Sequence, residues 1–100
     1  MVTLKIDEAR FRKQMELTRQ ESQKIVTDAY SFFVSQTPIR TGNARNRTSL
    51  IGNTIMANYP YAQRLDEGYS RQSPEGMVGP TLDHIENKLI PEAVRRINNG

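Results

Sequence analysis

The sequence has no cysteine. That excludes a disulfide framework and any thiolate metal site, and it fits a protein made in a reducing cytoplasm. There is a single histidine and there are only seven aromatic residues among 100, too few imidazoles for a recognisable metal set and few large rings for a core. No stretch approaches the roughly twenty apolar residues that span a bilayer, and the first residues lack the apolar core of a signal peptide. A soluble protein assembled without a membrane is the expectation. Asn46-Arg47-Thr48 matches the glycosylation triplet, but without an export signal the match reads as chance.

Two further absences are local. No glycine or proline interrupts the chain between Asp7 and Gln36, and no acidic residue occurs between Asp28 and Asp66. The first predicts a helix and the second leaves Arg40, Arg45, Arg47 and Arg64 uncompensated. The chain as a whole is only mildly basic, with a formal net charge of +3 and a pI near 9.5. The positive field is thus concentrated in the middle.

The hydrophobic fraction is 36% and the mean hydropathy −0.67. A chain of this length makes one domain and buries only about two-thirds of the surface its unfolded form exposes. A thin core of this kind gains from partners or copies of itself.

In the first 36 residues, Phe11, Met15, Thr18, Ser22, Ile25, Ala29, Phe32 and Phe33 recur at intervals of three and four, which places them on one helical stripe. The reading is one amphipathic helix over about 7–36, roughly 40 Å long at 1.5 Å per residue. Its C-terminal half carries the apolar residues that suit a core, Phe32 among them. Its N-terminal half, with Thr18 and Ser22, is expected to project or to meet another subunit.

Residues 37–68 form a loop and β-ribbon. Pro38 ends the helix, and short apolar runs at 47–51 and 54–58 flank Gly52-Asn53, a turn dipeptide. In the second run Ile55 and Ala57 would face one side and Met56 the other. Thr41-Gly42, Tyr59-Pro60 and Glu67-Gly68 punctuate the stretch. Residues 69–79, with Pro74, Gly76 and Gly79, read as loop. A C-terminal helix over about 81–98 follows, capped by Thr81 and kinked or split near Asn87 to Ile90 by Pro91. The fold class is α+β: a long N-terminal helix, a short antiparallel hairpin or sheet with ordered loops, and the kinked C-terminal helix.

Little in the sequence points to catalysis. His84 reads as a surface helix residue, and Asp66 and Glu67, an adjacent carboxylate pair of the kind used in acid/base work, read better as ion-pair partners of Arg40 or Arg45. No serine stands in a nucleophile-elbow context, and no phosphate-binding loop is present. The arginine group admits two readings. It is either a solvated basic loop or a surface facing nucleic acid or an acidic protein ring, contacting phosphates without sequence preference. Tyr59, Tyr61 and Tyr69 have the same duality between base stacking and core packing.

These residues resemble a known family. Thr37-Pro38-Ile39-Arg40-Thr41-Gly42, then Arg45 and a strand, then Asn58-Tyr59-Pro60-Tyr61-Ala62, Glu67-Gly68 and Ser73-Pro74-Glu75-Gly76-Met77-Val78 before a final helix are similar to the tail-completion and neck proteins of tailed bacteriophages, the HK97 gp10-like group. The chain departs from the usual pattern at Arg40 and at Asn43-Ala44. The resemblance implies a non-enzymatic virion protein without cofactors, assembled in the host cytoplasm, which closes a tail end or head-tail connector as a ring of copies around the DNA channel. Its partners would be copies of itself, tail-terminator or connector proteins and, non-specifically, the DNA in the channel. On that reading Arg40, Arg45, Arg47 and Arg64 face the channel or the next ring, while the N-terminal half of the first helix and a surface with Asp66, Glu67 and Met77 meet neighbouring subunits. Thr41, Gly42, Gly52, Pro60, Tyr61, Gly68 and Gly76 shape the turns. The rival reading is a small basic DNA-binding or DNA-packaging accessory protein.

Overall fold

A computed structural model describes residues 2–37, 47–58, 62–67 and 76–99, with the side chains of Arg64, Leu65 and Asn99 outside the description. The fold is α+β, with helices against one face of a three-stranded antiparallel sheet. The elements run β1 (Val2–Lys5), α1 (Glu8–Gln14), α2 (Arg19–Gln36), β2 (Thr48–Ile51), β3 (Thr54–Ala57) and α3 (Ala62–Asp66). The last helix has three parts, α4 (Val78–His84), a π-helical turn (Ile85–Leu89) and α5 (Ile90–Asn99).

The predicted hairpin is present. Ile51 pairs with Thr54 across Gly52-Asn53, and of those two turn residues only Gly52 takes a positive φ, 63°, the pattern of a type II′ turn led by glycine. Ile55 and Ala57 are buried while Met56 is half-buried, as the period of two requires. Strand β1, absent from the sequence reading, pairs with the other side of β3 from Val2↔Ala57 to Lys5↔Thr54. The ribbon is therefore a sheet of order β1-β3-β2.

The predicted helix over 7–36 is two helices. Residues 15–18 break it through a Schellman arrangement in which Leu17 N–H bonds Arg12 O at 2.9 Å and Glu16 N–H bonds Lys13 O at 3.4 Å. The left-handed residue that this motif needs is Glu16, at φ 54°. Breaking here turns Leu17 and Phe11 together into the core, where both are buried. Thr18 then restarts the chain as the N-cap of α2, its hydroxyl accepting from Glu21 N–H at 3.1 Å. Because α1 folds back on α2, with the Ser22 hydroxyl donating to the Glu8 carboxylate, the N-terminal part of the predicted helix does not project.

Helix α2 is the element on which the others pack. Ser22, Ile25, Val26, Ala29 and Phe33 are its buried stripe, and they meet Leu4, Ile55 and Ala57 of the sheet, together with Ile85, Leu89, Ile90 and Ala93 of the last helix, in one core. Phe33 is the large ring buried at the centre. Phe32, expected in the core, is half-buried and stacks on His84, with ring centroids 4.0 Å apart and 6° between planes. At the far edge of the sheet, the Tyr30 hydroxyl donates to the Thr48 carbonyl at 2.9 Å, tying α2 to β2.

The last helix begins at Val78, ahead of the predicted Thr81 cap. Thr81 is buried inside its first turns, with its hydroxyl donating to Met77 O at 2.6 Å. Pro80 allows the earlier start, since a proline in the first helical turn lacks only an N–H that would have no partner there. Pro91 does not split the helix. The irregularity lies just before it, in the π turn, where Ile90 N–H reaches back to Ile85 O. A turn one residue wider relaxes the crowding that a proline ring imposes on the preceding carbonyls.

Candidate functional site

Apart from Gly52 in the hairpin turn, the residues singled out for the site fall in two places among those described. Arg47 stands exposed in the turn that opens β2, at the opposite end of the hairpin from Gly52. Its backbone is held by Asn58 N–H, which bonds Arg47 O at 2.9 Å. No acidic side chain pairs with its guanidinium among the described residues. Arg40, Thr41, Gly42, Arg45, Pro60, Tyr61 and Gly68 lie outside the described residues, and Arg64 is placed on α3 by its backbone alone.

The second place is a junction of three helix ends. Asp66, the last residue of α3, accepts from Met77 N–H at 3.0 Å and from Val78 N–H at 2.8 Å, both through Oδ1. These are orphan donors at the start of α4, where the helix dipole also favours a negative charge. Asp66 is thus the cap that α4 lacks in its own sequence, supplied from another helix. Gly76 makes the approach possible, because at φ 81° it brings the chain so near α3 that a β-carbon would stand 2.0 Å from the Asp66 carbonyl oxygen.

Met77 completes the junction from inside. Its side chain is fully buried, and its sulfur lies 3.5 Å from the Thr37 hydroxyl, which donates to Phe33 O at 3.0 Å as α2 ends. The ends of α2 and α3 and the start of α4 therefore share one fixed point. This corrects the expectation that Met77 meets a neighbouring subunit, since a side chain without exposed surface has none to offer. One carboxylate oxygen of Asp66 is likewise committed within the chain, while Glu67 is exposed and accepts from Gln63 at 3.3 Å.

Ion pairs bind the helices elsewhere. Arg96 reaches Glu21 at 2.9 Å, joining α5 to α2, and the Glu21 carboxylate raises the arginine's pKa further above its ordinary value. Arg10 reaches Glu86 at 3.3 Å, joining α1 to the π turn. No group of three or more His, Asp or Glu placed to hold a metal occurs among the described residues, and none of the described helices is long and apolar enough to cross a membrane.

Neither the Schellman break nor the Asp66 cap was found from sequence. The first carries no glycine, and the second joins residues eleven and twelve apart through a contact that only the fold creates. Compared with models of known protein families, with curated proteins and with solved structures, the chain matches none.

Proposed function

We propose that this chain is a structural assembly protein of a tailed bacteriophage that completes the tail end or the head-tail connector as one subunit of an oligomeric ring around the DNA channel. The observation that carries the proposal is the ordered run of motifs from Thr37 to Val78, set in a stretch whose only charges before Asp66 are four arginines. Arg47, exposed and without an acidic partner among the described residues, suits a surface whose counter-charge lies on another molecule. The fixed junction at Asp66, Gly76 and Met77 holds the ends of three helices in place. The location implied is the virion, after assembly in the host cytoplasm.

The test is deletion of the gene from the phage or prophage that carries it, with electron microscopy of the lysate and the gene restored in trans. Filled heads and separate tails of normal length, rescued by the restored gene, are the expected result. Normal infectious particles without the gene would sink the proposal.

Arg47, with no acidic partner among the described residues, also favours the second reading, a DNA-binding or packaging accessory. Such a protein binds duplex at low salt and loses affinity steeply as salt rises. Arg45→Glu with Arg47→Glu would then abolish duplex binding while leaving particle assembly intact.

A further inference from the structure

From the charge pattern of the last helix we infer a surface that pairs with a second copy of this chain, independent of the role proposed above. A shallow groove of about 570 Å³ runs beside the π turn and α5, lined in part by Met15, Glu86, Ile90, Pro91, Val94 and Arg95. Met15, on the α1 wall, is 45% exposed. Pro91 is exposed and Val94 half-buried. Positions 91, 94 and 95 lie on one stripe of α5, and the wide turn before it brings Glu86 to the same side. The stripe is apolar in the middle with one charge of each sign at its ends.

That order makes the surface complementary to itself under a two-fold rotation and under no parallel alignment. With two copies of the helix antiparallel and the axis between Ile90 and Pro91, Glu86 of each copy faces Arg95 of the other. Val94 then faces Asn87, and Pro91, exposed beside the axis while Ile90 stays in the core, meets its own copy. The charges are available for this. Arg95 makes no ion pair among the described residues, and Glu86 engages Arg10 through Oε1 alone. Asp7 lies 3.9 Å from the same Arg10, so the cluster of Asp7, Arg10 and Glu86 sums to one negative charge. A single arginine from a second copy neutralises it.

The symmetry gives a test that an unrelated partner cannot imitate. Sedimentation velocity on the full chain, over a concentration series at low and high salt, is expected to show a monomer-dimer step that weakens with salt. Glu86→Arg and Arg95→Glu each replace both attractions by like-charge contacts and should raise the dissociation constant at least about tenfold. An equimolar mixture of the two variants puts opposite charges back at both contacts and should regain the dimer. Met15→Glu, at an exposed position on the other wall, should weaken it as well and serves if Glu86→Arg disturbs folding, which circular dichroism reports. A native chain that stays monomeric, single variants that associate as the native does, a mixture no better than its components, or a first associated species larger than a dimer would each overturn the inference.

Discussion

Glu16 holds a backbone angle that costs a residue with a β-carbon about 1–2 kcal/mol, and it does so because Leu17 must turn into the core one step later. Glycine adopts that angle without the steric penalty but loses more chain entropy on folding, about 0.5–1 kcal/mol. Glu16→Gly is therefore expected to stabilise the protein by roughly 0.5–1 kcal/mol, read as an upward shift of the denaturant midpoint at unchanged slope. A second residue-scale expectation separates the neighbouring phenylalanines. Phe33→Ala empties the centre of the core and should cost about 3–5 kcal/mol. Phe32→Ala removes a half-buried ring stacked on His84 and should cost about 1–2 kcal/mol, an area term with little cavity left behind. Equal losses in urea unfolding would show that the two rings share the core.

Among the elements, α4 depends most on a group outside itself. Asp66→Ala leaves two amide donors at its start without a partner and is expected to cost about 1–2 kcal/mol, whereas Asp66→Asn keeps an acceptor and should lose about half of that. Hydrogen exchange at the Met77 and Val78 amides checks the mechanism, since both should quicken in the alanine variant while amides of α2 follow only global stability. The same scale shows what was legible beforehand. The hairpin was, because Gly52-Asn53 and the alternation of Ile55, Met56 and Ala57 are local signals. Strand β1 also had its signal in Val2-Thr3-Leu4-Lys5-Ile6, a strict alternation of apolar and polar residues, but its partner strand lies some fifty residues away. The helix break was illegible for a different reason, since spacing by three and four continues across residues 15–18 whether or not the axis does. Thr81 misled because a threonine before an apolar run looks like a cap, and only its burial, with its hydroxyl on Met77 O, shows otherwise.

At the scale of the molecule, the Cα radius of gyration is 14.2 Å and the extents are 42 × 23 × 19 Å, longer than a compact chain of this length, for which about 13 Å is usual. The candidate site was legible in part. The basic interval and the turn glycines Gly52 and Gly76 could be read directly, while the roles of Asp66 and Met77 depend on where three helices converge.

The hydrogen bond from Tyr30 to the Thr48 carbonyl also bears on how the protein behaves when concentrated. Among the described residues β2 is an outer strand, and an outer strand is a template for strands of other molecules, so a side chain tied down along it stands in the way. Tyr30→Phe should leave the fold within about 1 kcal/mol of the native chain, so melting would barely register the change. Turbidity and thioflavin fluorescence during prolonged storage are where it should appear, as growth that the native chain does not show. One phenol oxygen, holding α2 over the strand's outer edge, would then be part of what keeps a fourth strand from joining.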